Sequence, residues 1–68
     1  DTEGARAAYR RAVDFGHPDF APSAALRLGS LLVDLGEAEE ARAAFRRAAD
    51  SDHPQVAEQA REFLADLG

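Results

Sequence analysis

The chain has 68 residues, with 13 Asp and Glu against 8 Arg, no Lys and a formal net charge of -5. A chain of this size is one small domain or part of a larger one, and its acidity argues against nucleic acid as a partner. Cys is absent, which excludes disulfides, thiol nucleophiles and thiolate metal sites. Sixteen of the apolar residues are Ala, an Ala- and Arg-rich usage typical of a GC-rich genome, leaving seven Leu, four Phe, three Val and Tyr9 to build a thin core. Such a chain buries only about 60% of its unfolded surface. No apolar run reaches the roughly 18 residues of a membrane span. The acidic start, Asp1 to Glu3, is unlike a signal peptide, and together with the lack of Cys it sets the expectation of a cytoplasmic protein.

Four helices are expected in chain order. Ala5, Ala8, Tyr9 and Ala12 recur at i, i+3, i+4 and i+7, placing a helix over residues 2–14. Gly16 can close it in a left-handed conformation, and Pro18 and Pro22 keep any helix from running on. A second helix, 22–35, carries Ala24, Leu28, Leu31, Leu32 and Leu35 along one stripe and ends at Gly36. The third, 37–50, repeats the first with Ala41, Ala44, Phe45 and Ala48, and Glu37, Glu39 and Glu40 set negative charge at its positive end as solvent-facing residues. The fourth, 54–67, opens on Pro54, with Ser51 or Asp52 as its cap, and presents Val56, Ala60, Phe63, Leu64 and Leu67. Strand alternation is absent, and Ala, Leu, Glu and Arg are strong helix formers.

The first and third helices are copies. Shifting the chain by 36 residues aligns Asp1–Leu32 with Glu37–Gly68, and 15 of the 32 pairs are identical. The longest match sets Ala5–Asp14 against Ala41–Asp50, and a second sets His17-Pro18 against His53-Pro54. A period of about 20 to 50 residues marks a solenoid whose units bury their apolar faces on one another.

From Pro22 to His53 the chain resembles a tetratricopeptide repeat, with Leu28-Gly29 and Leu32 in a first helix (A) and Ala41, Phe45 and Ala48 in a second (B). Ala5, Tyr9 and Ala12 repeat the B pattern. The Gly-His-Pro turn and the 36-residue period, against about 34 in the family, are also similar to Sel1-like repeats, a sister family. Ala25 stands where the family carries an early aromatic, and Pro54 falls one place late. The resemblance implies an all-α fold, a right-handed superhelical stack of antiparallel helix pairs in B-A-B-A phase. Residues 1–18 are then a half repeat, 19–53 a full repeat and 54–68 a second half repeat, a segment of a longer array. Gly29 is the position where two helices approach closely.

The chemistry-bearing residues point away from catalysis. His17 and His53 occupy equivalent positions of successive units, at least about 8 to 10 Å apart, too far to share a zinc ion, so each is expected to order the turn ahead of its proline. The chain has no nucleophile-elbow, phosphate-loop or His-Glu-x-x-His pattern, and no metal or cofactor is expected. Arg6, Arg10 and Arg11 recur as Arg42, Arg46 and Arg47; Asp14 and Asp50 are expected to neutralise them along each helix.

The resemblance implies a protein–protein interaction or scaffolding module whose concave face, lined by helix A, takes a peptide or helix. Carried over by position, that face comprises Ser23, Leu26, Ser30, Val33 and Asp34, then Gln59, Glu62 and Asp66. Leu26 and Val33, seven apart and off the core stripe, would be apolar contacts, with the acidic residues favouring a cationic partner. The family's carboxylate clamp uses Lys and Asn, both missing here. Two other roles stand beside this one: self-association through repeat ends at Tyr9, Phe63 and Leu67, giving a homo-oligomer, and a regulatory arm of a larger enzyme or transcription regulator.

Overall fold

The structure is a computed structural model describing residues 2–68. Its helices are α1 (Thr2–Phe15), α2 (Ala21–Asp34), α3 (Ala38–Ala49) and α4 (Pro54–Leu67), each within two residues of the spans read from the sequence. Among the described residues there is no strand, and no helix is long and apolar enough to cross a membrane.

The turns explain the boundaries. Gly36 adopts φ 78°; its N–H bonds the carbonyl of Val33 at 3.0 Å and the Glu37 N–H bonds that of Leu32 at 2.9 Å. This pair of bonds is a Schellman closure, which satisfies two orphan carbonyls and requires the left-handed backbone that glycine tolerates. Gly16, at φ 76°, closes α1 in a related way, its N–H reaching Val13 O at 3.1 Å. Asp52 replaces that glycine in the next unit, and α3 stops two positions earlier than α1. The expected cap of α4 is modified: Ser51 Oγ accepts the His53 N–H at 3.4 Å, one residue ahead of the helix, and no side chain caps α4 itself.

The helices form a thin slab of 30 × 28 × 14 Å in which each packs against its chain neighbour, and α2 also touches α4. The core consists of Ala24, Ala25, Leu28, Leu32, Ala41, Ala44, Phe45, Ala48 and Ala60, with Val13 contributed by α1. Phe45 is fully buried at its centre. One face of its ring lies on Phe63, with centroids 4.8 Å apart and planes 6° from parallel. Its edge meets Gly29: a Cβ there would stand 2.5, 2.7 and 2.8 Å from Cε1, Cδ1 and Cζ. The close approach expected at Gly29 is therefore where α2 and α3 meet.

The two B helices, α1 and α3, are joined by charge. Arg6 reaches Glu37 at 2.8 Å and Glu40 at 3.1 Å, Arg10 reaches Glu40 at 2.8 Å, and Arg47 reaches Asp14 at 3.8 Å. This corrects the sequence reading, in which Asp14 paired within its own helix, and it adds partners on α1 to Glu37, which is half-buried, and to Glu40, which stays exposed as expected. Side chains from successive units face each other over a shallow seam floored by Val13, Leu28, Leu32 and Ala44, and this long-range juxtaposition leaves no local signal. Glu39 is almost fully exposed, beside Arg42 at 3.8 Å, and Glu40 stays exposed while it pairs. Partial desolvation lowers the Arg6 pKa, but Glu37, Glu40 and Glu3 outweigh it and hold the guanidinium above its ordinary value. One buried Glu37 oxygen has no hydrogen-bond donor; its contact with Arg6 is ionic only.

Candidate functional site: a groove across α1, α2 and α4

A helix presents residues i, i+4, i+7 and i+11 along one line, and on α2 that line is Ser23, Arg27, Ser30 and Asp34. These four form the floor of an open groove of about 600 Å³. Its apolar walls are Ala5 and Tyr9 from α1, Leu26 and Leu31 on the edges of α2, and Val56 and Phe63 from α4, with Gln59 alongside. Glu62 and Asp66 line an adjoining depression of about 450 Å³ with Gln59 and Phe63.

Seven of the eight residues expected on the concave face therefore fall in the groove or its neighbour. Val33 lies in neither and is 39% exposed. It and Leu26 share one edge of α2, but only Leu26 reaches the groove, and Leu26 also packs against the core. The residues expected at self-association ends lie as follows. Tyr9 and Phe63 are walls of the groove, and Leu67 packs on the core while its carbonyl accepts from Arg42 at 3.4 Å.

Ala5 and Tyr9 were also not expected to line the groove, and neither were Arg27, Leu31, Val56 and Phe63. The last three belong to core stripes, and a stripe edge that both packs and lines a surface looks like core in a periodicity count. Arg27 stands four residues after Ser23 and three before Ser30, which was the available signal. It has no ion-pair partner among the described residues, so the groove has a cation at mid-floor and carboxylates at Asp34 and on the α4 side.

The histidines hold turns together. His17 Nδ1 accepts the Asp19 N–H at 3.2 Å, ordering its own turn, whereas His53 Nε2 lies 2.7 Å from Pro18 O in the preceding unit. A carbonyl only accepts, so His53 Nε2 carries the proton.

Four helices stacked as two similar units, joined by a Gly-aromatic seam and leaving an open groove on the helix A side, define a helical-repeat module. The family model for the tetratricopeptide repeat matches residues 1–55 and 26–67, and the chain belongs to that family. The likeness to Sel1-like repeats is that of a sister family. Members of the family generally serve in protein–protein interaction or as scaffolds. No curated protein and no solved structure matches the chain.

Proposed function

We propose that the chain binds a peptide or amphipathic helix of a protein partner in the groove on α1, α2 and α4. The observation that carries this reading is the groove itself: Leu26, Leu31, Val56 and Phe63 offer an apolar strip beside the polar floor of Ser23, Arg27, Ser30 and Asp34. That combination suits a segment that buries one apolar face and hydrogen-bonds with the other. Glu62 and Asp66, beyond Phe63, favour a partner carrying Lys or Arg at that end.

Selection of binders from a displayed library of amphipathic 15-residue peptides tests the proposal. Enriched peptides should carry two apolar anchors and a basic residue. Ser30→Arg, which fills the floor with a second cation, should lower affinity by at least about tenfold, or 1.4 kcal/mol, and Leu26→Ser should act in the same direction. Val33→Ser should leave affinity unchanged. Binders indifferent to Ser30→Arg, or no enrichment at all, would overturn the groove reading.

A further inference from the structure

Seven of the eight Arg residues have an Asp or Glu three or four positions away in the chain: Glu3 for Arg6, Asp14 for Arg10 and Arg11, Glu39 for Arg42, Asp50 for Arg46 and Arg47, and Glu58 for Arg61. Residues at those distances lie on adjoining turns of one helix face and offset each other's charge. Arg27 is the exception. Its neighbours there are Ser23, Ala24, Ser30 and Leu31, and no other helix gives it an ion-pair partner among the described residues. The one Arg left without a counter-charge is also the one Arg that lines the groove.

The surroundings of Arg27 suit an anion. Ser23 and Ser30, half-buried on the floor, bring a hydroxyl to either side of the guanidinium, and all three groups can donate to one carboxylate. The cation is particular to α2, since 36 residues on the line Ser23, Arg27, Ser30 becomes Gln59, Phe63, Asp66. Asp34 follows Arg27 by seven residues on the same line, about 10 Å away at the helical rise of about 1.5 Å per residue. Residues two turns apart do not pair. α2 therefore presents the groove with a cation and an anion at a set spacing.

Resting on the groove reading, we infer that the partner segment is an amphipathic helix with an Asp or Glu opposite Arg27 and, seven residues away, a Lys or Arg opposite Asp34. A helix lying along α2 has the same rise per residue, so charges seven apart on one keep register with charges seven apart on the other. Sliding the partner by two turns sets its acid against Asp34, and that like-charge contact selects the register. The acid is a carboxylate and not a phosphate. Around the single guanidinium, the groove and its adjoining depression hold Asp34, Glu62 and Asp66. The second negative charge of a phosphate meets that surplus with no second cation to balance it.

The test uses the tightest binder from the amphipathic library, resynthesised with acetylated and amidated ends so that its only carboxylates are side chains. Enriched helices should carry an Asp or Glu seven residues from the basic residue. Changing that acid to Gln should weaken binding about fivefold for the parent protein and by less than about twofold for Arg27→Gln, as a coupled pair requires. Arg27→Lys should keep most of the discrimination, and Arg27→Glu should prefer a peptide with Lys in place of the acid. Because Arg27 is exposed, all three variants should match the parent in circular dichroism. Ser30→Arg acts at the other charge, since an Arg four residues before Asp34 offsets it.

Binders that keep the apolar anchors and the base but carry no acid at that spacing would overturn this inference and leave groove binding standing. So would an acid whose replacement weakens binding equally in the parent and in Arg27→Gln. A phosphoserine peptide that binds more tightly than the Glu or Asp peptide would overturn the assignment of a carboxylate. No enrichment at all would remove the groove reading and this inference with it.

Discussion

Replacing Gly29 with Ala tests the seam between α2 and α3. Gly29 lies in the middle of α2 with an ordinary helical backbone, so on helix propensity alone Ala should stabilise by about 1 kcal/mol. Packing opposes this. The new methyl would sit 2.5–2.8 Å from three atoms of the Phe45 ring, whereas ordinary carbon contacts lie at about 3.5–4.0 Å. The ring must move by the better part of an ångström. It is fully buried, with Phe63 stacked on one face, and overpacking of this kind costs about 1–3 kcal/mol. With three sub-3 Å approaches the upper half of that range applies, and the net expectation is a loss of about 1–2 kcal/mol, or a Tm lower by roughly 4–16 °C. Thermal and urea unfolding followed by far-ultraviolet circular dichroism measures it. The decisive comparison uses Phe45→Leu as a second background. Without the ring the clash disappears, and Gly29→Ala should there be neutral or stabilising. A Gly29→Ala protein that is more stable than the parent in the Phe45 background would refute the close-approach argument.

Phe45→Ala should cost about 3–5 kcal/mol, enough to leave so small a chain largely unfolded, which its circular dichroism would show directly. Arg6→Gln should lower Tm by removing the link from α1 to Glu37 and Glu40, and the difference from the parent should shrink at 1 M salt, where the Debye length falls to about 3 Å. The Arg6 pKa is raised on folding. Its contribution is therefore fully present at every pH below the unfolded value and is lost only as pH rises through the folded one, so Tm differences between parent and Arg6→Gln traceable to Arg6 ionisation should be flat from pH 6 to 9. His53→Ala removes the bond to Pro18 O and should cost about 0.5–1.5 kcal/mol in urea unfolding; an unchanged midpoint would show that the inter-turn bond adds nothing.

The helices, their order and the repeat were legible in the chain itself. Helical spacing of Ala5, Ala8, Tyr9 and Ala12, glycine at 16 and 36, and proline near the start of α2 and α4 are local signals, and local backbone physics decides where helices begin and end. The family likeness and the role of Gly29 also lay in the sequence, because a Leu-Gly step opposite an aromatic one helix later is a recurring pattern. Of the groove's α2 line, Ser23, Ser30 and Asp34 were named from the sequence through the family resemblance, and Arg27 on the same line was not.

Only the tertiary structure decided which residues of different helices meet. Arg6 with Glu37 and Glu40, Arg47 with Asp14, and His53 with Pro18 O lie about 30 or more residues apart in the chain, and nothing at either partner's own position marks the other. The same holds for Leu31, Val56 and Phe63, whose spacing identifies a core stripe without showing that its edge lines a groove, and for Val33, which shares Leu26's side of α2 yet falls outside that groove. A one-dimensional pattern sets the direction of a side chain from its own helix; what lies in that direction is set by the packing of the others.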